Sequence, residues 1–134
     1  MTVSMVTLTG VGGVGKTRLA IEVGAELAGE FDDGVWLVEL AGVGDPGAVP
    51  AALATVLGLI PHSDVPLIDT VADTVAGRRL LLLIDNCEHL RDSVAAAIET
   101  ILRRAGHSRI LATSREAVGA PGESVTSVSP LATE

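Results

Sequence analysis

With 134 residues, 48% of them hydrophobic and only 1% aromatic, the chain is long enough for one domain with a core of Val, Leu, Ile and Ala, which suits a parallel sheet between helices. A net charge of −8 argues against the basic face that direct nucleic-acid binding demands, and no apolar run approaches the ~18 residues of a membrane span. One cysteine, Cys87, excludes an internal disulfide and, with no basic-then-apolar leader, leads us to expect a cytoplasmic location.

The first predicted element is a β-branched, apolar strand over Val3 to Thr9, ending in glycines. Gly10-Val11-Gly12-Gly13-Val14-Gly15-Lys16-Thr17 follows and matches G-x-x-x-x-G-K-[ST], the phosphate-binding loop of nucleoside triphosphatases. A helix then starts at about Lys16, with Leu19, Ala20, Val23, Leu27 and Ala28 at helical spacing and Gly29 as its terminator. The glycines let successive N–H groups converge on phosphate oxygens, and the helix turns its positive end toward the same anion. Lys16, the only lysine in the chain, is expected to reach the β- and γ-phosphates, and the Thr17 hydroxyl to sit on magnesium. The nucleotide-contacting segment thus runs from Gly10 through Thr17 and takes in Arg18.

Phe31 to Gly34 reads as a turn and Val35 to Leu40 as a second strand, with Trp36 as core packing and Glu39 at a solvated strand end. Asp45-Pro46 resembles a helix start, but Pro50 removes an N–H, so a helix from near Pro50 to Leu57 is the alternative, with Gly58 after it. Ile60 to Pro66 is loop, and Leu67, Val71 and Val75 mark a short helix closed by Gly77.

Leu80 to Asp85 is the second landmark: an apolar run ending in an aspartate, the pattern of a Walker B strand, about 70 residues after the loop. Such a run is buried on both faces and delivers its carboxylate at the C-terminal sheet edge, where Asp85 would hold magnesium through a water. Asp92 or Ser93 is expected to cap the next helix, whose stripe is Val94, Ala97, Ile98, Ile101 and Leu102. The arginine pairs 78/79 and 103/104 precede strands and so belong to the edge away from the nucleotide. Arg109 to Thr113 is a fourth strand, which puts Arg115 on the nucleotide side, and Ser124 to Val128 is a short fifth strand at an edge.

LTGVGGVGKTRLA, LLLLIDNCEHL and RILATSRE, in that order, resemble the nucleotide-binding core of STAND-class ATPases, close to the NB-ARC domains. The nearest look-alikes are the ATPase modules of bacterial transcriptional regulators of the LuxR-like and SARP types. The resemblance implies a three-layer α/β fold, a P-loop NTPase with a mostly parallel five-stranded sheet in the order 5-1-4-3-2. It also implies ATP and ADP as ligands with Mg2+, Arg115 as a sensor of the γ-phosphate, and nucleotide-dependent packing against other domains or protein partners of a regulator. Three departures stand out. The usual second acid after Asp85 is Asn86, an amide that takes no proton, which leaves Glu88 or His89 as the base of any hydrolysis. The segment that usually covers the adenine is missing upstream, and the helical lid with its Gly-Leu-Pro-Leu motif is missing downstream, so residues 1–134 are expected to be a core truncated at both ends. Slow hydrolysis driving a switch is the leading expectation. The alternatives are a nucleotide-gated interaction domain without turnover and an inactive fragment; a small-molecule kinase is disfavoured because no arginine-rich lid segment is present.

Overall fold

The computed structural model describes residues 3–11, 15–62, 64–104 and 106–129. Strand β1 (Met5–Thr9) is followed by helix α1 (Lys16–Leu27), then β2 (Val35–Glu39), α2 (Val49–Leu57), α3 (Leu67–Ala76), β3 (Leu81–Asp85), α4 (Arg91–Leu102), β4 (Arg109–Ser114) and β5 (Glu123–Ser127). The sheet order is β2-β3-β4-β1-β5, which is the expected 5-1-4-3-2 order read from the other edge. Every pairing is parallel, including that of the edge strand β5 with β1.

Side-chain alternation along the strands divides the core in two. Met5, Val38, Leu80, Leu82, Ile84, Ile110 and Ala112 face α2, α3 and α4, and this is the larger cluster. Leu8, Leu81, Leu83 and Leu111 face the opposite way, onto Ala20 of α1 and Phe31. All five residues of β3 are buried, as its continuous apolar run requires of a strand covered on both faces. Helix α1 lies close against the sheet: a β-carbon on Gly24 would stand 3.1 Å from Val35 Cγ1 and 3.2 Å from Leu83 Cδ1.

Several boundaries differ from the sequence expectation for local reasons. Strand β1 begins at Met5 rather than Val3, and β5 runs one residue earlier than expected. Gly29 does not terminate α1; it sits inside a 3-10 turn over Ala28–Glu30 that continues it. Asp45 does act as a cap, its side chain accepting from Gly47 N–H at 3.0 Å, but it caps a 3-10 turn over Pro46–Ala48 that leads into α2. Pro50 therefore falls in the first turn of α2, where its missing N–H would have no helical partner anyway. Neither Asp92 nor Ser93 caps α4. A 3-10 turn over Glu88–Leu90 feeds directly into that helix, Leu90 stands at the cap position without a side-chain bond, and Asp92 lies in the first turn.

The residues assigned to packing behave as such. Trp36 packs against the larger core cluster and donates Nε1–H to the Asp33 carbonyl at 2.8 Å. Arg104 reaches Asp69 at 2.9 Å and Asp73 at 2.8 Å, stapling the end of α4 to α3, and Arg79 donates to the Glu30 carbonyl at 2.7 Å. Both tie elements together, away from the C-terminal sheet edge.

Candidate functional site

Strands β1, β3 and β4 present their C-terminal ends side by side, and that edge is where open parallel sheets bind ligands. Gly10, Val11 and Gly15 flank the loop; Gly12, Gly13 and Val14 lie outside the described residues. Gly15 adopts φ 86°, ψ 24°, a left-handed conformation that a side chain resists, and α1 starts immediately after it with no side-chain cap. The amides of the first turn are therefore available to an anion.

Lys16 is 8% exposed, an unusual burial for an ammonium. Its Nζ donates to the Gly10 carbonyl at 2.6 Å and the Val11 carbonyl at 3.0 Å. One residue further along, Thr17 Oγ1 donates to both carboxylate oxygens of Asp85, at 2.8 and 2.9 Å. The start of α1 and the end of β3 are thus joined 68 positions apart in sequence. Asp85 is 5% exposed and also accepts from Thr113 Oγ1 and, at 3.1 Å, from Asn86 Nδ2. With its proton committed to Asp85, the Thr17 hydroxyl keeps its lone pairs for a cation. Among the described residues no three His, Cys, Asp or Glu side chains cluster as a metal cage. A hydroxyl and one carboxylate fit magnesium, which keeps most of its shell as water and phosphate oxygens, and would not fit a metal that needs a full protein cage.

A cavity of about 780 Å³ opens beside this pair, lined by Lys16, Thr17, Arg18, Asn86, Glu88 and Arg115 among others. Its size suits a nucleotide-sized ligand. Arg115 is exposed and forms no ion pair among the described residues, because Glu116 pairs with Arg91 at 3.0 Å and Asp85 is taken by the hydroxyls and the amide. Arg18 is held by Glu22 of the next turn at 3.1 Å. Glu88 Oε2 is buried with no hydrogen-bond partner. His89, by contrast, is bound through Nε2 to the Val43 carbonyl at 2.9 Å, which obliges that nitrogen to carry the proton. Cys87 is fully buried and its Sγ donates to the Ile84 carbonyl. Burial, then the neighbouring Glu88 and Asp85 charges, push its thiol up to about 12, so it stays protonated and unreactive.

The structure therefore brings Lys16, Thr17, Arg18, Asp85, Glu88 and Arg115 to one edge, while Glu39 stays at an exposed strand end. It adds Thr113, which nothing in a single sequence marks beyond its place at the end of an apolar strand. Thr113 meets Asp85 only because β3 and β4 align Ile84 with Ala112.

The protein-family model for the AAA domain matches residues 1–119. Over 127 residues the chain is 43% identical to the "Uncharacterized protein Rv0894" of Mycobacterium tuberculosis, covering 95% of this chain and 32% of that protein. Over 116 residues it is 36% identical to the regulatory protein AfsR of Streptomyces griseus, covering 81% of this chain and 11% of the other. The chain thus spans about a third of the former's length and about a tenth of the latter's. Among solved structures, a signal transduction ATPase with numerous domains (STAND), the tetratricopeptide-repeat sensor protein PH0952 from Pyrococcus horikoshii, matches with a TM-score of 0.62 at 15% identity. It covers 94% of this chain and 21% of that one, a likeness of fold. With a five-stranded parallel sheet in the P-loop NTPase order and the family match over most of its length, the chain belongs to the AAA domain family.

Proposed function

We propose that the chain is the ATP- and ADP-binding module of a STAND-type regulator, magnesium-dependent and hydrolysing ATP slowly to drive a conformational switch. The observation that carries this reading is the Thr17–Asp85 contact beside buried Lys16, a hydroxyl, a carboxylate and an ammonium held together at one sheet edge. Magnesium, held by Thr17 and through a water by Asp85, would supply positive charge to the β- and γ-phosphates. Lys16 trades its two loop carbonyls for phosphate oxygens, the N–H groups from Gly10 to Arg18 cradle the remaining oxygens, and Arg115 meets the γ-phosphate. Water attacks the γ-phosphorus, the bond to the ADP oxygen breaks, and Glu88 takes the proton of the attacking water. The buried, unpartnered Oε2 of Glu88 supports that role, and the Val43 tie on His89 counts against His89.

One observation favours a second reading, a nucleotide-gated interaction domain without turnover. Asn86 occupies the position after Asp85 with a side chain that donates to the carboxylate and accepts no proton. The partners in either reading are nucleotide and the other domains or protein partners of a regulator, in keeping with the AfsR relative. A net charge of −8 argues against direct nucleic-acid contact by this stretch. None of its described helices is long and apolar enough to cross a membrane, and cytoplasmic placement is part of the proposal.

Calorimetric titration with Mg-ATP and Mg-ADP, alongside Lys16→Ala, tests the binding reading: saturable binding lost in the variant is expected. Undiminished binding by the variant would refute the site. Turnover that falls by at least about tenfold in Glu88→Gln identifies the base, whereas no turnover in the parent chain selects the second reading.

A further inference from the structure

Thr113 makes none of the phosphate, metal or proton-transfer contacts assigned above, yet it holds the carboxylate at the end of β3. It is 1% exposed, at the end of β4. The β3–β4 ladder finishes at Ile84 and Ala112, and the next residues, Asp85 and Thr113, are joined by side chains instead. The proton of this link has only one arrangement. Asn86 N–H donates to Thr113 Oγ1 at 2.9 Å, so a hydroxyl lone pair is taken, and the hydroxyl proton goes to Asp85 Oδ1, which as a carboxylate oxygen accepts only. The Thr113 carbonyl accepts from Cys87 N–H at 2.9 Å, so the same residue grips the chain on both sides of Asn86.

Asn86 is the only non-glycine with positive φ among the described residues, at 62°. That left-handed step bends the chain out of β3 and lets the Asn86 amide return to Asp85 Oδ2. Thr17 bridges both carboxylate oxygens from the α1 side. Among the described residues, Thr113 is therefore the donor that fixes the carboxylate from a neighbouring strand, independently of the helix that carries the phosphate loop.

We propose that Thr113 is a positioning residue for the metal-side carboxylate: its hydroxyl sets the rotamer in which Asp85 serves a divalent cation, and so couples magnesium to nucleotide affinity. The proposal rests on the nucleotide-binding reading given above. It concerns neither the phosphate contacts nor the chemistry of Glu88, and it predicts a specific split between binding with and without metal.

The experiment measures ATP affinity by calorimetry in excess Mg2+ and in EDTA, for the parent chain, Thr113→Val and Thr113→Ser. The ratio of the two affinities should fall by about tenfold in Thr113→Val, with affinity in EDTA unchanged, and return to the parent value in Thr113→Ser, which keeps the hydroxyl. An unchanged ratio in Thr113→Val overturns the proposal. So does an equal loss with and without metal, which would make Thr113 a plain structural support. If Thr113→Val does not fold, Thr113→Cys, similar in volume and a weaker donor, carries the same ratio test with the same refuting outcomes. A parent chain that binds no ATP in either buffer, or a Lys16→Ala variant that binds as well as the parent, overturns the nucleotide reading and this inference with it. Binding abolished by Lys16→Ala with a ratio indifferent to Thr113 overturns this inference alone.

Discussion

Lys16→Met separates the binding role of the lysine from its structural one. Methionine matches the lysine stem in length and removes the ammonium. In the free protein two opposing terms are lost together: burial of a charge at 8% exposure, which costs several kcal/mol, and two hydrogen bonds from that charge to the Gly10 and Val11 carbonyls, about 1.5–3 kcal/mol each. They offset one another, so folding stability should move by less than about 1 kcal/mol in urea denaturation. Binding has no such offset. On meeting nucleotide, the ammonium exchanges two neutral carbonyls for anionic oxygens, each exchange worth about 1.5 kcal/mol across that same range, so the substitution should cost about 3 kcal/mol. That is on the order of a hundredfold in Kd for Mg-ATP by titration calorimetry. A variant that binds within about threefold of the parent would refute the assignment of Lys16 to phosphate. One that binds poorly because it has lost more than about 2 kcal/mol of stability would refute the cancellation argument.

Two further outcomes follow from the packing around the site. Leu82→Ala removes a fully buried side chain from β3, an interior strand, and should cost about 2–5 kcal/mol, read as a lower urea midpoint with an unchanged slope; a loss under about 1 kcal/mol would contradict the packing described for β3. Cys87 predicts a pH dependence of known sign. The unfolded chain releases the thiol proton near 9.0 while the folded chain holds it to about 12, so across that window the unfolded state binds fewer protons and stability falls as pH rises. Below pH 9 the contribution is flat, and Cys87→Ala should remove the alkaline slope, of roughly 1 kcal/mol per pH unit; an identical alkaline slope in the variant would assign it to other groups.

Much of this arrangement is legible in the residues themselves. Gly10 to Thr17 between an apolar strand and an amphipathic helix specifies the end of a strand, a glycine-rich connection and a helix start. A run of five apolar residues ending at Asp85 specifies a strand buried on both faces with a carboxylate at its rim. Those two statements place Lys16, Thr17 and Asp85 at one edge once the sheet order is granted, and that order comes from the resemblance, not from periodicity. Thr113 is not legible in the same way. Its partner is set by the register of two strands, Leu81 against Arg109 through Ile84 against Ala112, which brings together residues 28 positions apart, and hydrophobic pattern is silent on register. The missed start of α4 has a different origin. Asp92 and Ser93 have the chemistry of caps, but the preceding turn at Glu88–Leu90 already runs in helical sense and moves the junction upstream.

The unequal covering of the sheet sets limits on how the protein can be re-engineered. Three helices shield one face, and their packing residues lie behind the ligand edge, so substitutions there adjust robustness with little effect on recognition. The other face rests on α1, whose first residues, Lys16 and Thr17, are also the ones proposed to meet nucleotide and metal. A β-carbon added to α1 at Gly24 would press on Val35 Cγ1 at 3.1 Å and Leu83 Cδ1 at 3.2 Å, so room must be made there on the same helix that carries Thr17. Thermostabilisation and ligand affinity are therefore separable goals on α2, α3 and α4 and a single, shared design variable on α1.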